Sequence, residues 1–142
     1  MTGIRIISIL LLLLWSGSAR AGEAVLVVHR DNPVSSLEIA EVRGIFLGKK
    51  VFWDDGNGIE VLLQKSGETH QSFSQNTLGK SPRQLSMYWK RILFSGEGIP
   101  PQEVPGDKEM LELIAANVKA IGYIDSSSKD DRVKTISILR EE

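Results

Sequence analysis

The residues of this chain best suited to chemistry sit together in one short turn. Gln64 to Phe73 reads QKSGETHQSF, a small polar turn with a single glycine that runs into a helical pattern. Lys65 supplies a cation, Ser66 and Thr69 supply hydroxyl donors, and Gly67 lets a ligand approach the backbone closely. A helix start adds unpaired N–H groups and about half a positive charge. Lys65, Ser66, Gly67 and Thr69 are therefore the candidate ligand-binding residues, and the chemistry they fit is the holding of an anion. The same residue types also make an ordinary capped turn, and that alternative stays open. Glu68 acts against an anion, because a carboxylate in the first turn or just before it occupies the same positive end. A helix terminus contributes about 0.3–1 kcal/mol toward a charge, or about 2 when partly buried. Millimolar binding needs about 4 kcal/mol, so one turn alone falls short and a second wall is required.

Other chemistries lack their residues. The chain has no cysteine, which removes thiol catalysis, thiolate metal sites and disulfides. Its two histidines, His29 and His70, have no companion ligands at metal-binding spacing. Asp54 and Asp55 precede Gly56 and read as a turn. Ser66, Ser72 and Ser126–Ser128 have neither a nucleophile-elbow context nor an evident base. Tyr88 and Trp89 fall on the inner face of a helical pattern, and Trp53 sits in a turn at the edge of the core. No catalytic residue, metal or cofactor is expected, and the chain is read as a non-enzyme.

The first residues point to export. Arg5 precedes a strongly apolar ten-residue stretch, Ile6 to Trp15, and small residues lead to Ala19-Arg20-Ala21 before Gly22. A spanning helix needs about 20 apolar residues, so residues 1–21 are expected to be a cleaved signal peptide and the protein periplasmic. Cleavage leaves 121 residues and removes Arg5 and Arg20, so 15 basic residues face 18 acidic ones, a net charge of −3. That balance disfavours nucleic acid as a partner. A chain of this length buries somewhat over about 60% of its unfolded surface, enough for one domain, 22–142, without staples.

The turn must be positioned by the elements around it. Ala24 to Val28, Ile59 to Leu63, Ala120 to Ile124 and Val133 to Ile138 read as strands rich in β-branched residues. Ser35 with Glu38 three residues on predicts a capping box, Val34 and Ile39 a staple, and Ile39, Val42 and Phe46 a buried stripe closed by Gly48. A helix is expected from about His70 to Leu78, closed by Gly79. Ser81, Pro82 and Gln84 predict the start of the next, with Leu85, Tyr88, Trp89 and Ile92 inward and Gly96 at its end. Gly96 to Gly106 reads as a proline-rich loop, and Asp107 as the cap of a helix with Met110, Leu111 and Ile114 inward. Strands alternating with helices make the class α/β, with a mixed or mostly parallel sheet flanked by helices in three layers.

The order of motifs resembles the phosphate-type periplasmic substrate-binding proteins of ABC transporters. Asn32 to Gly56 (NPVSSLEIAEVRGIFLGKKVFWDDG) is similar to that family's Asn-Pro, capped helix, I-F-x-G turn and Trp-Asp turn. Ser66 to Phe73 falls where the family carries Ser-Gly-Thr, and Ala120 to Asp125 (AIGYID) is similar to its return strand. The family builds two lobes around an oxyanion and is more than twice as long, so the resemblance implies a single-lobe form. In the family an arginine precedes Ser-Gly-Thr. Counting back from Phe73, the Thr falls on Thr69, the Gly on Glu68, the Ser on Gly67 and the Arg on Leu63. Placing Ser-Gly on Ser66-Gly67 needs a one-residue insertion. The arginine is missing either way, and Lys65 is the nearest cation.

Two functions follow from the resemblance. One is a solute-binding protein for inorganic phosphate or a similar oxyanion, with a membrane permease as partner and a second wall supplied by a homodimer or another protein. The other is an interaction or sensory module that uses the former cleft face to dock a partner protein.

Overall fold

The computed structural model describes residues 23–140; the export leader expected at 1–21 lies outside them. Six strands form one sheet: β1 (Ala24–His29), β2 (Ser36–Glu38), β3 (Glu60–Gln64), β4 (Gln102–Val104), β5 (Ala120–Asp125) and β6 (Val133–Leu139). Their order is β2-β6-β1-β5-β3-β4. β1 pairs antiparallel with both β5 and β6, while β2 with β6, β5 with β3 and β3 with β4 are parallel. Every strand except β1 therefore runs the same way. The register sets Ala24 opposite Asp125, Leu26 opposite Ile136 and Gln64 beside Val104. Thus β1 starts, and β6 ends, at the edge where β3, β4 and β5 finish.

The pleat sorts the apolar residues into two cores. Leu26 and Val28, Leu63, and Ile121 and Tyr123 point to one face, where they meet α1 (Ile39–Phe46), α2 (Glu68–Ser72) with its extension, and α3 (Pro82–Ser95). Val27, Leu62, Ala120 and Ile124 point to the other, against Met110, Leu111 and Ile114 of α4 (Asp107–Ala116). Helices thus cover both faces of the mixed sheet, giving the expected three-layer α/β fold. Gly122 is needed where α4 packs on β5, since a Cβ there would overlap Met110 Sδ and crowd Ile114.

Local signals held where no distant partner competed. Ser81 Oγ accepts from Gln84 N and Gln84 Oε1 accepts from Ser81 N, with Pro82 in the first turn and left-handed Gly96 at the end. Leu85 and Trp89 are buried, and half-buried Tyr88 donates from its hydroxyl to Leu47 O at 2.7 Å. Trp53 is buried at 7% exposure, and its Nε1–H donates to Lys119 O.

Four expectations are corrected. The capping box at Ser35 does not form: Ser36–Glu38 is an edge strand on β6, Ser35 O accepts from Ser137 N, and the helix begins at Ile39 with no side-chain cap. Asp107 is the first residue of α4 and not its cap; Gly106 holds the cap position, while the Asp107 carboxylate is engaged elsewhere. The proline-rich loop contains β4, a three-residue strand fixed by β3. The helix expected from His70 starts at Glu68 and widens into a π-helix over Phe73–Leu78, closed by left-handed Gly79. A helix end leaves its last carbonyls without intrahelical partners; Arg43 Nε donates to one of them, Thr77 O, at 3.0 Å.

Candidate functional site

The turn after β3 stands at the carboxyl ends of the parallel strands, the edge where open α/β sheets hold ligands. Its start is pinned by the Lys65 N–H, which donates to Val104 O of β4 at 2.8 Å. Gly67 takes φ 104° and ψ 176°, a conformation that favours glycine, and a Cβ there would meet nothing within 4 Å. The first helical bond runs from Gln71 N to Gly67 O, so the N–H groups of Glu68, Thr69 and His70 precede the ladder. Lys65, Ser66, Gly67 and Glu68 are exposed and Thr69 is half-buried. Among the described residues, Lys65 Nζ forms no ion pair and the Ser66 and Thr69 hydroxyls bond to no protein group.

The predicted residues Lys65, Ser66, Gly67 and Thr69 are thus brought together at one helix start with their donors free. Of the four, Lys65 alone lines the neighbouring groove, about 240 Å³ between α3 and Pro100-Pro101, where it joins His70, Trp89 and Lys90. Glu68 stands in the first turn, as its position in the sequence implied.

The turn's floor went unread in the sequence. Buried Gln64 donates its N–H to Tyr123 Oη at 2.8 Å, and its side-chain Nε2 donates to Asp107 Oδ1 at 2.7 Å and Tyr123 O at 3.0 Å. Asp107 Oδ2 accepts from Asp125 N and from Ser128 Oγ, tying the ends of β3 and β5 to the start of α4. His70 Nδ1 lies 2.5 Å from Tyr123 Oη. Burial pushes the Tyr123 phenol far above its ordinary pKa, partly offset by the Gln64 N–H and reinforced by the Glu103 carboxylate. Burial also lowers the pKa of His70, against an opposing pull from Glu103. A neutral imidazole and a protonated phenol thus share one short hydrogen bond, whose donor is set by the tautomer of the ring. These partners lie up to 59 residues apart, and no local spacing could have found them.

A pH dependence follows. The unfolded histidine takes up a proton below about 6.5, while the folded one resists to lower pH, so stability is lost as pH falls through 6.5 toward the folded value. Urea midpoints measured from about pH 7.5 to 5.5, a range above the ordinary carboxylate pKa values, should fall in the wild type and fall less in His70→Asn. Equal slopes would show that His70 charges in the fold without cost.

No family model matches the chain, and no curated protein does. Solved structures do. An ABC-type phosphate transport receptor from Vibrio cholerae is 26% identical, with a TM-score of 0.67 over 82% of this chain and 46% of that one. A putative phosphate ABC transporter substrate-binding protein from Clostridium perfringens, solved with bound phosphate, is 26% identical with a TM-score of 0.64, over 82% and 44%. The chain has a periplasmic-binding-protein-like fold. Likeness of that fold extends to PstS from Borrelia burgdorferi, 13% identical with a TM-score of 0.60 over 82% of this chain and 47% of that one. In each case this chain spans under half the length of the binding protein it matches.

Proposed function

We propose that the chain is a single oxyanion-binding lobe of an exported transport system, with a binding role and not a catalytic one. The observation that carries this is the turn Lys65–Thr69: free N–H groups, two unengaged hydroxyls and an unpaired ammonium at the carboxyl ends of β3, β4 and β5. Likeness to transport proteins named for phosphate supports phosphate or a similar oxyanion as the ligand, a membrane permease as the partner, and the periplasm as the location after cleavage at Ala21. Lys65 takes the role of the cation and Ser66, Gly67 and Thr69 that of hydrogen-bond donors. A homodimer or another protein completes the cleft.

One lobe alone binds weakly. The helix start gives about 1 kcal/mol, against about 4 needed for a millimolar Kd. Titration of backbone amide shifts with inorganic phosphate should therefore show a site weaker than millimolar, centred on residues 66–70. Lys65→Ala and Thr69→Ala weaken it without loss of fold, and Glu68→Gly tightens it about two- to fivefold by removing a like charge. No shift up to about 100 mM phosphate in either the wild type or Glu68→Gly would sink the oxyanion reading. That outcome would favour the second function, a docking module without ligand, which the exposed Glu68 carboxylate and the absent arginine already support.

A further inference from the structure

Helix α3 carries a face that nothing in the fold uses. Leu85 and Trp89 turn inward, which places Arg83, Met87, Lys90 and Phe94 on the opposite side, at spacings of four, three and four. That outer line alternates cation and apolar side chain along the helix. Met87 is 59% exposed and Phe94 86%, and Ile99, just beyond the helix, is also 86% exposed. Arg91 flanks the line, leaning with Lys80 over the Tyr88 ring at 5.6 and 5.5 Å. Among the described residues none of these four cations pairs with a carboxylate. Between Lys80 and Gln102 the only acidic residue is Glu97. A chain that is net negative once the expected leader is gone thus concentrates unopposed positive charge on one helix.

We infer that the Arg83–Met87–Lys90–Phe94 face, with Ile99, docks the protein on an anionic phospholipid surface. Charge complementarity selects the sign: lipid phosphates attract a helix with cations and no carboxylate of its own. The apolar members select the lipid. Phe94 and Ile99 project singly, and an acyl boundary accepts projecting side chains without a preformed pocket, whereas a protein partner must supply one. Lysine and arginine stems lie along the interface while their heads reach the phosphates. This surface shares only Lys90 with the groove that Lys65 lines, and the inference does not depend on the turn binding an oxyanion.

The test is co-sedimentation of the chain from Gly22 onward, which holds every described residue and lacks the apolar leader. Vesicles rich in phosphatidylglycerol should pellet the protein at low salt, vesicles of phosphatidylcholine alone should not, and raising the salt should release it. Arg83→Glu with Lys90→Glu should reduce binding at least about tenfold. Phe94→Ser with Ile99→Ser should reduce it about tenfold without changing the salt response. Arg83→Gln with Lys90→Gln gives the same direction with a smaller change, should the reversal alter the circular dichroism. Lys65→Ala and millimolar free phosphate should leave vesicle binding intact. Equal binding to both vesicle types, no binding to either, or binding abolished by Lys65→Ala would each overturn the inference; the second would leave the face to an acidic protein partner, and the third would move the headgroup contact to the turn.

Discussion

Phe73→Ala should cost about 3–5 kcal/mol of folding stability, the range for removing a fully buried aromatic ring. The ring is 1% exposed, stacks on Tyr123 with centroids 3.8 Å apart at 12°, and meets Phe46 edge-on at 4.8 Å. It sits where the helix widens, so its neighbours α1 and β5 belong to different layers and cannot easily close the space. Domains are stable by only about 5–15 kcal/mol, so this one change removes a large share. Urea denaturation gives the number, and a loss under about 1 kcal/mol would show that the site collapses around the gap. Hydrogen exchange in the Lys65–His70 turn should quicken in the same variant, because Phe73 backs the ring that holds Gln64 and His70.

Tyr123→Phe isolates the polar half of that support. The aromatic packing is kept and one oxygen is lost, leaving the buried Gln64 N–H without its acceptor and His70 Nδ1 without its partner. A buried donor left unpaired costs about 1–3 kcal/mol, so destabilisation in that range is expected with the ring contacts unchanged. Exchange of the Gln64 amide, whose acceptor is the phenol, should accelerate more than that of Leu62 or Leu63, which do not bond to it. Unchanged stability and unchanged Gln64 protection would show that the hydroxyl is not what holds the end of β3.

What could be read from the sequence was local. The Ser81–Gln84 box was legible because both partners lie within one turn and no strand competes for that backbone. Four strands were legible through runs of β-branched residues, and the three-layer class followed from their alternation with helices. Ser35 carried an equally good box signature and misled, since bonding to β6, about a hundred residues onward, outweighs a side-chain cap. Asp107 misled for a related reason: its carboxylate serves Gln64, Asp125 and Ser128 in place of its own helix. The three residues of β4 have no pattern of their own and exist as a strand through β3. At the candidate site the donors of the turn were visible as composition. The buried Gln64, His70, Tyr123 and Asp107 beneath them were not, because sequence spacing carries no record of which polar side chains meet in a core.

The antiparallel course of β1 amid five co-directed strands brings Glu23 and Arg140 out at the same rim as Lys65. A companion domain tethered to either terminus by a short flexible linker would meet the turn at an effective concentration of about millimolar, and its contacts would supply the second wall that the lone turn lacks. Fusion there could turn a weak encounter into a closed clamp without a new contact inside the fold. For the same reason, bridging Glu23 to Arg140 and reopening the chain in an exposed loop should yield a circular permutant that keeps both cores.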